Sequence, residues 1–135
     1  MARILFIDDE THLMQGVINH LKIMGHEPTI KTTGYDALSE LRRNHGQYDL
    51  VILDLLLPYG EPRDESYRIP QMVSEKVGEF IFEKMEEICR DMPVIISTAA
   101  RSSMNGMREA ENATIVTKPI LLPELLRLIH SMIGR

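Results

Sequence analysis

Four short stretches of this chain carry side chains suited to phosphoryl chemistry: Asp8-Asp9-Glu10, Asp54, Ser97-Thr98 and Thr117-Lys118-Pro119. Crowded carboxylates repel one another, and one of them takes a proton unless a cation intervenes. An oxygen-only donor set with one or two free carboxylates and room for water suits Mg2+. A metal so held also neutralises phosphoryl oxygens during in-line transfer. An ionised Asp54 is then a nucleophile toward phosphorus. The Lys118 ammonium would face a second phosphoryl oxygen and the Thr98 hydroxyl would donate to a third, so no general base is needed. Each stretch alone has an ordinary reading. An acidic pair after a strand is often a helix cap, an Asp closing an apolar strand is often a turn residue, and Lys-Pro is a common turn. The signal lies in all four together, provided that the fold brings them to one place.

The elements that would do so are legible as apolar runs. Ile4 to Ile7 reads as a buried strand. Thr11 to Met24 has helical spacing, with Leu13, Val17, Leu21 and Met24 on one face. Glu27 to Thr32 is a weaker strand nearer an edge. Gly34 to Asn44 is a helix with Thr33 as N-cap and Ala37, Leu38 and Leu41 inward. Leu50 to Leu53 is a continuous apolar strand ending at Asp54. Val73 to Arg90 is a long helix carrying Val77, Phe80, Ile81, Lys84, Met85 and Ile88. Pro93 to Ser97 is a buried strand, residues 101–111 form a poor helix with Gly106 inside it, and Ala113 to Thr117 is a short strand. Leu121 to Met132 is a closing helix, with Leu122, Leu125, Leu126 and Ile129 on its core face. Strict alternation of strands buried on both faces with helices implies a doubly wound α/β fold: a five-stranded parallel sheet with five helices and right-handed crossovers. In such sheets the site lies beyond the carboxyl ends of the strands, where all four stretches fall.

Composition is compatible with one domain spanning residues 1–135. The balance of 44% apolar and 26% charged residues is that of a soluble globular chain. A net charge of -5, with both signs dispersed, argues against a nucleic-acid face. The single cysteine, Cys89, excludes an internal disulfide and a thiolate zinc site, and reads as a buried helical residue. No apolar run approaches the roughly 20 residues that span a bilayer, and the N-terminus is too short in apolar residues for a signal peptide. The expected location is cytoplasmic, with no membrane partner.

The pattern resembles the receiver domain of two-component response regulators, the chemotaxis-regulator-like fold. The resemblance runs from Arg3 to Ile133 apart from one insertion. It is carried by Ile4-Leu5-Phe6-Ile7-Asp8-Asp9-Glu10, Thr33-Gly34-Tyr35-Asp36-Ala37-Leu38, Asp49 through Pro58, Pro93-Val94-Ile95-Ile96-Ser97-Thr98-Ala99 and Thr117-Lys118-Pro119. It implies a flavodoxin-like strand order of 2-1-3-4-5. It implies that Asp8 and Asp9 bind Mg2+, directly or through water, that Asp54 is the phosphoacceptor, and that the Leu56 backbone carbonyl completes the metal shell. The resemblance also implies that Thr98 and Lys118 hold the phosphoryl group, that Ala99 supplies a small residue beside it, and that the Lys118-Pro119 peptide is cis. The implied partners are a sensor histidine kinase or histidine phosphotransfer protein, and an effector domain or downstream protein. The face of the fourth helix, fifth strand and fifth helix is a homodimer candidate. The chain would not be an enzyme beyond catalysing its own phosphorylation and dephosphorylation. It reads either as a free-standing receiver or as the amino-terminal piece of a longer regulator.

The sequence departs from that family at several points. The glycine usually found about four residues after the Pro58 position is best matched by Gly78, twenty residues after Pro58, so roughly sixteen residues are inserted. The extended loop, at about 59–77, reads as an irregular surface decoration or as a lid or docking element beside the site. Ile115 stands where the family often has Tyr or Phe, which places its aromatic switch in doubt. Leu56 and Ala100 are apolar where polar groups often guide the water of self-dephosphorylation, which implies an altered phosphoryl lifetime. Leu121, Leu128 and Met132 fall partly outside the core face of the last helix, so that face is either a wide core stripe or a partner surface.

Rival functions have less support. A phosphatase of the haloacid dehalogenase type needs a second Asp two residues after its nucleophile, and here that residue is Leu56. A nucleotide-binding module needs a glycine-rich turn after the first strand, and here that turn is acidic. The remaining alternative is an interaction module of the same fold that works without phosphorylation.

Overall fold

The computed structural model describes residues 1–58, 60, 74–98 and 113–133. In chain order its elements are β1 (Arg3–Ile7), α1 (Thr11–Ile23), β2 (Glu27–Lys31), α2 (Gly34–Asn44), a short 3-10 turn (His45–Gln47), β3 (Leu50–Asp54), α3 (Ser74–Ile88), β4 (Val94–Thr98), β5 (Ala113–Thr117) and α4 (Leu122–Met132). The strands form one sheet in the order β2-β1-β3-β4-β5, and every neighbouring pair is parallel. This is the doubly wound, flavodoxin-like order. The helix expected over 101–111 lies outside the described residues, as does the expected loop over residue 59 and residues 61–73. Ser74 to Val77 are already helical.

Period-two alternation along the strands sorts the core into two layers. Leu5, Ile7, Val51, Leu53, Val94, Ile96, Ala113 and Ile115 pack with residues of α2 and α3. Ile4, Phe6, Leu50, Ile52 and Ile95 pack with residues of α1 and α4. Unbroken apolar runs are required because both faces of the central strands are covered. β2, at the sheet edge, is the least buried strand.

Local chemistry sets the helix ends. Thr33 caps α2, its hydroxyl accepting from the Asp36 N–H at 3.1 Å. α1 stops in a Schellman turn. Gly25 adopts φ +91°, its N–H donates to the Lys22 carbonyl, and the His26 N–H reaches back to the Leu21 carbonyl.

Three side-chain expectations need correction. Met24, expected on the inner face of α1, caps the helix and is half exposed, whereas Ile18 is buried beside Val17 and Leu21. Leu122, expected in the core, is 42% exposed at the first turn of α4, and Leu125, Leu126 and Ile129 form the buried face. Cys89 sits one residue beyond α3 and is only partly buried. Burial there, with the Glu86 carboxylate nearby, pushes its thiol up to about 11.

Candidate phosphoryl and metal site

Four of the five strands, β1, β3, β4 and β5, deliver one part of the site at their carboxyl ends. Beyond β1 the chain turns through Asp8, whose N–H donates to the Lys31 carbonyl at 3.1 Å and so ties the turn to β2. One carboxylate oxygen of Asp8 accepts the Glu10 N–H at 2.8 Å, a local bond of the kind that short acidic side chains make in turns. Asp8 is buried, Asp9 is exposed and Glu10 is intermediate.

Asp54 is the last residue of β3, in register with Ser97 of β4, and is 3% exposed. Both of its oxygens are engaged. Oδ1 accepts the Leu56 N–H at 3.0 Å and Oδ2 accepts from Lys118 Nζ at 3.0 Å. Lys118 follows β5, and its backbone N–H donates to the Thr98 carbonyl at 2.7 Å. That bond fixes the ends of β4 and β5 together, so Thr98, itself buried, and Lys118 stand at the same edge as Asp54. The Lys118-Pro119 peptide is cis.

Gly78 secures the other wall. Its N–H donates to the Leu55 carbonyl at 3.2 Å, and an added Cβ would lie 2.5 Å from that oxygen. Only glycine lets α3 approach the backbone directly after Asp54 this closely. Gly78 is the glycine that the sequence singled out across the insertion.

The charges do not balance. Asp8, Asp9, Glu10 and Asp54 each present an oxygen within 4.8 Å of the others. The one described ammonium among them is Lys118, at 3.0 Å from Asp54, 3.8 Å from Asp8 and 3.9 Å from Glu10. Burial raises the Asp54 carboxyl above its usual range and the Asp8 charge adds to this, while the Lys118 and Leu56 hydrogen bonds oppose it. Burial disfavours the Lys118 ammonium, but Asp54, Asp8 and Glu10 outweigh it and hold its proton more tightly than usual. The Asp54 shift is mainly one of burial, whereas the Lys118 shift comes from the acids around it. Hard oxygen donors at this spacing fit a divalent cation such as Mg2+, which would relieve the imbalance.

The structure therefore brings together Asp8, Asp9, Asp54, Thr98 and Lys118, and the Leu56 backbone turns beside them. Ala99 and Ala100 lie outside the described residues. The Leu56 side chain is half exposed, and Ile115 is buried in the layer under α2 and α3. The sequence reading gave no task to Glu10. Its signal is its place in the Asp8 turn, where its backbone N–H bonds to Asp8 at 2.8 Å and its carboxylate lies 3.9 Å from Lys118.

No family model matches the chain. It is 26% identical to the transcriptional regulatory protein PcoR of Escherichia coli, over 100% of this chain and 53% of that protein. The chain thus spans about half the length of this curated relative. Among solved structures it is similar to the non-phosphorylated HemR receiver domain of Leptospira biflexa, with a TM-score of 0.74 and 25% identity over 100% of this chain and 96% of that one. It is also similar to a response regulator receiver domain from Clostridium thermocellum, with a TM-score of 0.72 and 27% identity over the same shares. The response regulator TrrA of Thermotoga maritima, solved in complex with Mg(2+)-BeF, shares the fold, with a TM-score of 0.67 and 23% identity over 98% of this chain and 99% of that one. In strand order, in its relatives and in the acids and lysine at its strand ends, the chain is similar to receiver domains of response regulators and shares their fold.

Proposed function

We propose that this domain accepts a phosphoryl group on Asp54 from a phosphohistidine of a sensor kinase or phosphotransfer protein, with Mg2+ bound by Asp8, Asp9, Asp54 and the Leu56 carbonyl. The observation that carries this reading is the Lys118–Asp54 contact at 3.0 Å inside a cluster of four acids. An Asp54 oxygen forms the new O–P bond. The P–N bond of the donor breaks, and the imidazole leaves with its electron pair. The divalent ion would supply charge neutralisation at the phosphoryl oxygens. Lys118 neutralises another of those oxygens, and the Thr98 hydroxyl donates to a third. The Leu56 N–H on Asp54 Oδ1 orients the carboxylate and leaves Oδ2, now facing Lys118, toward the incoming group.

The domain turns over no separate substrate and acts as a switch for an effector domain or downstream protein, in the cytoplasm. Among the described residues no helix is long and apolar enough to cross a membrane. Ile115 leaves the switch without an aromatic ring, so its readout rests on aliphatic packing. The test is incubation with Mg2+ and a small phosphodonor, followed by intact-mass measurement. Wild type gains one phosphoryl group and Asp54→Ala gains none. Equal uptake by both, or none by either, overturns the reading, and the second outcome would favour an interaction module that works without phosphorylation.

A further inference from the structure

The chain that leaves Asp54 is fastened residue by residue. The Leu55 N–H donates to the Ser97 carbonyl at 3.1 Å, and the Leu55 carbonyl accepts from Gly78. The Leu56 N–H is taken by Asp54. Leu57 is fully buried in the layer under α2 and α3. The Pro58 carbonyl accepts the Gly34 N–H at 3.0 Å, at the first residue of α2. Leu56 is the exposed residue of this run, and among the described residues no backbone N–H donates to its carbonyl.

Gly60 closes the run. It adopts φ +83°, a conformation that glycine takes without cost and other residues rarely adopt. It also lies against Thr33, the N-cap of α2. An added Cβ would stand 2.6 Å from the Thr33 Cβ and 2.8 Å from its hydroxyl oxygen. Two separate features therefore call for glycine here, the backbone angle and the close approach. That hydroxyl is committed to the Asp36 N–H, so Thr33 yields to a larger neighbour only by loosening the cap. A carbon at 2.6 Å must retreat to ordinary contact, at least 3.4 Å, a movement of about 0.8 Å. Mg2+ demands near-ideal geometry at roughly 2.1 Å and tolerates little displacement of a ligand.

We propose that Gly60, seated on Thr33, is a positioning residue for the metal site: it clasps the chain after Asp54 to the start of α2 and so fixes where the Leu56 carbonyl stands. The proposal rests on the reading of that carbonyl as a Mg2+ ligand. The clasp is tested first without metal, by amide hydrogen exchange of the whole chain. Exchange at Gly34 reports its bond to Pro58, and Gly60→Ala speeds it several-fold. Calorimetric titration with Mg2+ then finds the affinity of Gly60→Ala lower by about tenfold. Thr33→Gly opens the same contact from the other side with a residue that still serves as an N-cap, and it also weakens Mg2+ binding. It keeps the proposal open to refutation should Gly60→Ala fail to fold. Ile129→Val, a core change in the layer of α1 and α4, lowers the melting temperature but leaves Mg2+ affinity within about twofold. Unchanged Gly34 exchange in Gly60→Ala overturns the proposal. So does an equal affinity loss in Ile129→Val, which would make affinity follow general stability. A wild type that binds Mg2+ no better than the two clasp variants overturns this proposal alone, whereas a wild type that binds no Mg2+ overturns the metal reading with it.

Discussion

The two ends of the sheet treat charge in opposite ways. At the amino-terminal end, Arg3 meets Glu27 at 3.1 Å, its N–H donates to Asp49 at 2.9 Å, and its guanidinium donates to Gln47 at 2.9 Å. The Arg3 and Glu27 side chains are 40% and 53% exposed, so water shares the work and the pair matters little. At the carboxyl end, four acids cluster, three of them facing one lysine, and Asp54 and Asp8 are almost fully buried. An arrangement that lacks a compensating cation costs stability, because like charges repel where water is excluded. The first end follows from folding alone. The second leaves an excess of negative charge that a bound cation would relieve.

The comparison can be broken from the top downward. Lys118→Ala should lower phosphoryl uptake from a small phosphodonor by about a hundredfold, the typical loss for one positioned electrostatic contact. An uptake rate within a fewfold of wild type would remove Lys118 from the chemistry. Saturating Mg2+ should stabilise the wild type, by about 2.7 kcal/mol at a hundredfold excess over its dissociation constant. In Asp8→Asn, melts with and without Mg2+ should differ much less. Gly78→Ala should destabilise by about 1–3 kcal/mol in denaturant melts, because its methyl group overlaps the Leu55 backbone. A neutral result would mean that α3 can shift away from Asp54 freely. At the opposite end, Glu27→Gln should cost about 0.2–1 kcal/mol and leave the Mg2+ response unchanged. A larger loss there would contradict the contrast between the two ends.

Much of this was legible in the sequence, for identifiable reasons. The strands could be read because burial on both faces demands unbroken apolar runs such as Leu50-Val51-Ile52-Leu53. The site could be read because the carboxyl ends of those runs carry Asp8, Asp54, Thr98 and Lys118, and a parallel sheet places such ends together. Gly78 could be found because the family that the chain resembles carries a glycine at that point, and its physical reason is the close approach of α3 to the chain after Asp54. Helix ends were harder. Helical spacing put Met24 and Leu122 on inner faces, but it does not say that Gly25 ends α1 or that Leu122 lies in the first turn of α4, clear of the core. Glu10 escaped because it lies in a turn, where no periodicity says which way a side chain faces.

The central claim is that Asp54, among all these acids, bonds to phosphorus. An acyl phosphate is reduced by borohydride to the alcohol, so a phosphorylated aspartate is recovered as homoserine. After phosphorylation in Mg2+ and reduction, peptide mapping should find homoserine at position 54. Homoserine at position 8 or 9, or at no position despite a phosphoryl gain by mass, would contradict the account.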